Sequence, residues 1–413
     1  MQIQDLELFP LRLAKDGTKE RLKERGLKFW DFRIRKYVSY LSDSIESGDQ
    51  AVSFCILRSE GQLVLTANEM KPRYMIDMRT YHELHQTESS SIPEVAEAIP
   101  MTAGGGSVPD DSFLLLLPAT ILGFGLHDKK WITLIVDKIK DIEWNSRAFG
   151  KLVLGHQKKE IIKALVTVHV ASGKKPTTDI IEGKGNGLIM LLHGSPGTGK
   201  TLTAESIAEF TEKPLYRVTC GDIGTDPETV EKYLESVLYI GTVWGCVVLL
   251  DEADVFLEER SQSDLQRNAL VSVFLRVLEY YDGILIFTSN RVGTFDEAFK
   301  SRIQLAIHYP RLDTAGRSKI WYGFINDLEK RGLTEDPASL RSSVPALADK
   351  PLNGRQIRNT VKNARQYAEY KKEPLNTEHF EAVVEVANEF EEYLKRIVDH
   401  TEQASFLGTR APE

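Results

Sequence analysis

The densest chemistry in the chain lies in Gly194-Ser195-Pro196-Gly197-Thr198-Gly199-Lys200-Thr201, whose types and spacing suit a triphosphate. The apolar run Leu188 to Leu192 ahead of it reads as a buried parallel strand, and Leu202 to Ala208 behind it as a helix. The glycines then fall on a strand-to-helix turn, where main-chain N–H groups and a helix N-terminus can wrap an anion. Gly197 and Gly199 lack a Cβ, so the main chain can approach the phosphates closely. Lys200 would reach the β- and γ-phosphates, and the Thr201 hydroxyl would hold Mg²⁺. A chance Gly-rich loop is the competing explanation, but it would not fill every fixed position in a strand–loop–helix context.

A second acidic motif separates a nucleotide-hydrolysing site from a binding site. Cys246 to Leu250 is a wholly apolar strand that runs into Asp251-Glu252-Ala253-Asp254. An acid at the carboxyl end of a strand parallel to the first lies beside the phosphate loop, where open α/β sheets bind ligands. Asp251 would hold the Mg²⁺ shell. Glu252 could polarise the attacking water as a general base. The alternative is an acidic helix cap, since acids favour helix N-termini; it does not account for the pair's place about fifty residues after a phosphate loop.

Two further polar residues could complete the chemistry. Asn290 ends an apolar strand, where its amide could orient water or touch the γ-phosphate, although Asn is also common in turns after strands. Arg302 follows a short helix on the rim of the same domain. From there it could reach the γ-phosphate held by a neighbouring subunit, a contribution worth ~10³–10⁵ in rate. A solvated surface arginine is the other reading.

These side chains need a scaffold, and the hydrophobic pattern between about 150 and 312 supplies one. Leu215 to Thr219 reads as a second strand, and Asp226-Pro227 as a cap and helix-starting proline. Val230, Tyr233, Leu234, Val237 and Leu238 then line one helical face, and Leu270, Val273, Phe274, Val277 and Leu278 another. Gly283 to Asn290 and Leu305 to Tyr309 are the remaining strands. Alternation of this kind predicts a parallel sheet covered on both faces. Beyond Asp313 the pattern is wholly helical, with apolar faces at Ile320, Trp321, Phe324 and Leu328, at Ile357, Val361 and Ala364, and at Phe380, Val383, Val384 and Ala387.

Ahead of the nucleotide domain, short apolar runs recur at Ala51 to Leu57, Gln62 to Leu65, Phe113 to Leu117 and Trp131 to Val136. Gly- and Pro-containing turns separate them, which predicts a mainly β domain with some helix. Thr87 to Asp111, with Gly104-Gly105-Gly106, reads as a mobile loop or linker. His82, His85 and His127 have no accompanying ligand pattern and read as surface or core residues. The expected organisation is therefore 1–145 as an N-terminal partner or regulatory domain, 146–312 as the nucleotide-binding α/β domain, 313–398 as a helical lid, and 399–413 as a disordered tail.

Composition narrows the partners. A net charge of -8 speaks against a general nucleic-acid binder, which usually displaces phosphate counterions with a basic patch. Cys55, Cys220 and Cys246 are too sparse for a metal site or a disulfide framework, and fit reduced thiols in an intracellular protein, cytoplasmic or nuclear. The first residues lack the basic and long apolar regions of a secretory signal. Phe113 to Leu126 is too short, and too broken by Pro118 and Gly123, to span a bilayer.

Taken together with the helical C-terminal part, these residues resemble the AAA+ ATPases over roughly 150 to 390. Gly194 to Thr201 is similar to their Walker A motif, with Leu202 closing the nucleotide-binding set, and Val247 to Glu252 is similar to Walker B. Asn290 falls at the sensor-1 position and Arg302 near the arginine finger. Leu352 to Arg358 falls at sensor 2, where Arg355 matches by offset and Arg358 is the alternative. Within the family, Ile181 to Gly185, Glu279 to Leu285 and Asn290 to Asp296 resemble AAA-type ATPases of filamentous fungi that carry an uncharacterised domain ahead of the motor.

The resemblance implies a P-loop α/β core with a helical lid. It also implies ATP and Mg²⁺ as cofactors, a hexameric homo-oligomer with each site at a subunit interface, and hydrolysis coupled to remodelling of a protein partner. Two other functions compete: a slowly hydrolysing nucleotide-gated switch or scaffold, and a clamp-loader-like DNA factor, for which Ser301-Arg302 speaks. The segment Cys220 to Asp226, at the position where unfoldases of the family touch substrate, is short and has no aromatic residue.

Overall fold

In a computed structural model, the described residues are 11–41, 72–85, 109–171, 185–224, 226–254, 265–291, 295–334, 336–389 and 393. Two compact units divide between Trp144 and Asn145. The runs at 51–57 and 62–65, the glycine triplet at 104–106 and the tail from 399 lie outside the described residues.

The first unit packs helix Thr18–Phe32 onto a five-stranded antiparallel sheet. Its strands are β1 (Lys36–Tyr40), β2 (Arg73–Ile76), β3 (Thr120–Gly125), β4 (Lys130–Ile135) and β5 (Ile139–Lys140), in the order β4-β3-β2-β1-β5. Phe29, Trp30 and Phe32 on the helix meet Val38, Ile76, Ile121 and Leu134 on the sheet to form its core. The β character expected of this region is present, and its strands pair antiparallel. Phe113 to Leu117, however, is not a strand but the helix Asp111–Leu116. Asp110 caps it by accepting the Phe113 N–H (3.3 Å). Leu114 is buried while Leu116 faces solvent, so one helical face sufficed where an apolar run suggested a strand.

The second unit is built on five parallel strands: β6 (Leu188–Gly194), β7 (Leu215–Thr219), β8 (Val247–Asp251), β9 (Ile284–Ser289) and β10 (Leu305–Tyr309). Their order is β10-β6-β9-β8-β7. All five residues of β8 and all six of β9 are buried, which explains the unbroken apolar runs, since parallel strands are covered on both faces. The chain leaves β6 for the β7 edge, returns through β8 and β9, and then passes β6 to add β10. The switch of direction therefore falls at β6, where open sheets place their ligands. Register fixes the rest: Gly194 lies beside Tyr309, His193 beside Ser289, and Thr219 beside Asp251. The carboxyl ends of all five strands thus open at one edge.

Helices 314–330, 337–349, 354–371 and 377–389 follow. Trp321, Leu340, Val344, Ile357 and Phe380 interlock as their shared core. Asp313, Asp336 and Asn353 each accept a main-chain N–H at the start of one helix, satisfying a donor that would otherwise be left over. Helix 337–349 has Pro337 in its first turn and Pro345 within it. Among the described residues no helix is long and apolar enough to cross a membrane.

Candidate nucleotide site

The loop after β6 turns sharply into helix Lys200–Phe210. Gly197 (φ 71°) and Gly199 (φ 101°) occupy the left-handed region, where a Cβ would be strained, so glycine is needed at both. Thr198 Oγ1 donates to the Ser195 carbonyl at 2.8 Å and ties the loop to itself. Lys200 is buried beneath the loop, its Nζ donating to the carbonyls of Gly194 and Ser195 at 2.8 Å each. Burial lowers the proton affinity of this ammonium; Asp254 and Asp251 oppose that shift, and Arg355 adds to it. The Leu202 side chain points to solvent, with 54% of it exposed.

Across from the loop, Asp251 is only 5% exposed and its two oxygens have separate duties. Oδ1 accepts from Thr201 Oγ1 at 3.0 Å and from Thr288 Oγ1; Oδ2 accepts from Arg217 Nη2 at 2.6 Å. One hydroxyl and one carboxylate oxygen side by side form a hard donor set. It fits Mg²⁺, which takes few protein ligands and completes its shell with water and phosphate.

Glu252 comes next and is exposed, with φ 57°, an uncommon conformation for a residue carrying a Cβ that costs about 1–2 kcal/mol. It is held there from β9. Thr288 Oγ1 accepts the Glu252 N–H at 2.9 Å, and the Thr288 carbonyl accepts the Ala253 N–H at 2.9 Å. A strained acid fixed by a neighbouring strand beside a buried acid is the arrangement a general base needs. Asp254 is tied down instead: it accepts from Ser289 Oγ and from the Arg291 N–H.

The sequence pattern places Thr288, Ser289 and Arg217 in strands but gives them no role at the site. Thr288-Ser289-Asn290 is a polar triplet closing a strand that is otherwise apolar, and Arg217 is a lone cation inside Leu215-Tyr216-Arg217-Val218. Both breaks in hydrophobicity are visible signals. Asn290 is exposed directly after Ser289, at the sheet edge shared by Gly194 and Asp251.

Arg302 lies at the other end of the sheet. Gln304 and Leu305 sit level with Ile189 and Met190, near the amino end of β6, which puts Arg302 on the order of 15 Å from its own loop at ~3.3 Å per residue. Its Nη1 donates to the Ala298 carbonyl at 2.9 Å, and Nη2 stands 3.7 Å from Glu279. With Gln304 and Tyr281 it lines a cavity of about 510 Å³.

The helical bundle meets the phosphate loop directly. The Gly354 N–H donates to the Gly197 carbonyl at 2.9 Å, and a Cβ built on Gly197 would lie 2.6 Å from Asn353 Cγ. Helix 354–371 therefore starts against the loop, and Arg355 and Arg358 are exposed on its first turns. Arg355 is among the charges acting on Lys200, whereas Arg358 acts on Glu205. Gly197→Ala should consequently loosen both loop and lid. We expect a loss of about 1–3 kcal/mol of stability from the left-handed strain and the clash, measured by denaturant unfolding. Unchanged stability would mean that the lid does not rest on the loop.

After β7 the chain forms a helical turn, Cys220–Ile223. The Asp222 carboxylate accepts from the Thr219 N–H (2.7 Å) and Oγ1 (2.8 Å), and Ile223 is buried. Asp222 braces the turn from an exposed position, and Ile223 anchors it from below.

The loop, the acid pair and the sheet that aligns them define a P-loop nucleotide site. Residues 190–311 match the model of the ATPase family associated with various cellular activities (AAA), and residues 312–401 that of the fungal AAA+ ATPase lid domain. The chain belongs to the AAA+ ATPases. It is similar to human ATPase family AAA domain-containing protein 3B, 31% identical over 126 residues, 29% of this chain and 19% of that protein. It is also similar to the 26S proteasome regulatory subunit 10B of Dictyostelium discoideum, 27% identical over 197 residues, 43% of this chain and 47% of that subunit. Similarity to the Lon protease of Mycolicibacterium smegmatis is 24% identity over 248 residues, 51% of this chain and 31% of the protease. The matched stretch thus spans less than half of each of these relatives.

Proposed function

We propose that this chain binds ATP with Mg²⁺, hydrolyses it, and couples the cycle to remodelling of a protein partner. Family membership supports an ATPase activity. The observation that carries the reading is the meeting of Thr201 and Asp251 at 3.0 Å beside a buried Lys200. In this reading Gly194 to Leu202 cradle the phosphates, with Lys200 supplying the cation. Thr201 and Asp251 would hold Mg²⁺, which when bound offsets negative charge on the phosphates. Glu252 takes the proton of the attacking water, and Asn290 orients that water. Arg355 reaches the phosphates from the lid; its charge already acts at Lys200, which favours it over Arg358 as the sensor-2 residue.

Arg302 then serves the neighbouring subunit of a ring, a role supported by its distance from its own loop. In this scheme partner contact falls to the N-terminal unit. Lys200→Ala should abolish tight ATP binding, because it removes the cation placed under the loop. Calorimetry measures this, and wild-type affinity in the variant would mean that the loop is not the nucleotide site.

A further inference from the structure

Asp251 carries more positive company than a metal-shell acid needs. Arg217 projects from edge strand β7 on the same face as Asp251 and holds its Oδ2 at 2.6 Å, while the hydroxyls of Thr201 and Thr288 hold Oδ1. The hydroxyls donate hydrogen bonds but carry no net charge. Asp251 is 5% exposed, and a buried carboxylate without a compensating charge is costly. Arg217 has 49% of its side chain exposed, so it can move off the carboxylate without being buried elsewhere. A second acid waits within its influence. Glu205 stands four residues beyond Thr201 on helix Lys200–Phe210, one turn along the face that meets Asp251, and its carboxyl, pushed up by burial, is drawn back down first by Arg217.

We propose that Arg217 is a built-in counter-ion of Asp251 that competes with the divalent cation for that carboxylate, turning to Glu205 when the metal binds. The proposal rests on reading Asp251 as the metal-shell acid. It gives the site two alternating states of one charge pair. Metal-free protein keeps Asp251 neutralised from within, and metal-loaded protein must push a guanidinium away. Like charges a few ångströms apart repel even in a partly solvated site, so the arginine raises the metal concentration the site requires.

The test is Mn²⁺ binding followed by electron paramagnetic resonance, on the full chain saturated with ADP. Arg217→Gln should bind Mn²⁺ about tenfold more tightly, the scale of one screened repulsion between charges. The same variant should melt at a lower temperature in EDTA without nucleotide, because Asp251 then loses the one cation among the described residues that contacts it directly. A merely structural role would weaken both. Arg217→Lys keeps the charge and should stay within about twofold of wild type in Mn²⁺ affinity. Glu205→Gln, which leaves Arg217 nowhere else to turn, should weaken Mn²⁺ binding about threefold, and it serves as the readout if Arg217→Gln does not fold. Unchanged or weaker Mn²⁺ binding in Arg217→Gln, equal effects of Gln and Lys, or no weakening in Glu205→Gln would each overturn the proposal. Asp251→Asn separates the two levels. Retained Mn²⁺ binding in that variant would sink the metal-site assignment itself, whereas its loss alongside an inert Arg217→Gln would sink the counter-ion alone.

Discussion

Glu252→Gln is expected to leave ATP binding intact and to lower turnover by about 10²–10⁴, the usual worth of a positioned general base. The amide keeps the size and shape of the carboxylate but cannot take a proton. The backbone makes the expectation specific. Glu252 is held at φ 57° by the Thr288 side chain and carbonyl, bonds that run through main-chain N–H groups and survive the change. Position and fold should therefore be preserved while the proton acceptor is lost. Phosphate release measured with saturating ATP, beside calorimetric binding of ATP, checks both halves. Near-normal release would move the base elsewhere, and Asp254 is a poor heir because Ser289 and Arg291 already hold its carboxylate. Because such a variant retains ATP without consuming it, it would also trap a bound protein partner for identification.

The parts of this site that could be read from sequence are those where one residue type does one job. Gly197 and Gly199 sit in backbone that L-residues avoid, the strand at 247–251 is buried on both faces, and Asp226 caps the helix its proline begins. Each rule is local, so a single chain reveals it. What was hidden depends on register between strands distant in sequence. Thr288 became the hub of the acid pair only because β9 lies beside β8, and Arg217 reached Asp251 only because β7 lies on the other side. The misread element, helix Asp111–Leu116, has the same origin. A five-residue apolar run has no periodicity of its own, and what decided it was the cap at Asp110 together with the packing of Leu114 into the neighbouring core. The sequence leaves Arg355 and Arg358 both open for the same reason: the bond from Gly354 to Gly197, which starts their helix against the loop, joins segments far apart in the chain.

Arg302→Ala should act between subunits and lower turnover by about 10³–10⁵ with little change in ATP affinity, the loss expected when a transition-state arginine is removed. The argument is geometric. Arg302 stands near the amino end of β6, while its own phosphate loop follows the carboxyl end, so the side chain cannot serve the site of its own chain. Its present partners, the Ala298 carbonyl and Glu279, are modest ones: a single neutral acceptor at 2.9 Å and an acid 3.7 Å away. Little free energy is needed to turn the guanidinium outward. If a ring neighbour's phosphates lie within reach, charge developing in that transition state would draw it across. Mixing separates this from a folding defect. Arg302→Ala and Lys200→Ala subunits should each be inactive alone, yet in a mixed ring an intact Lys200 site can face an intact Arg302. ATPase activity across mixing ratios should therefore rise above both parents, at concentrations where oligomers form. In verified mixed oligomers, a rate that only tracks the average of the two inactive proteins would rule out an arginine supplied in trans.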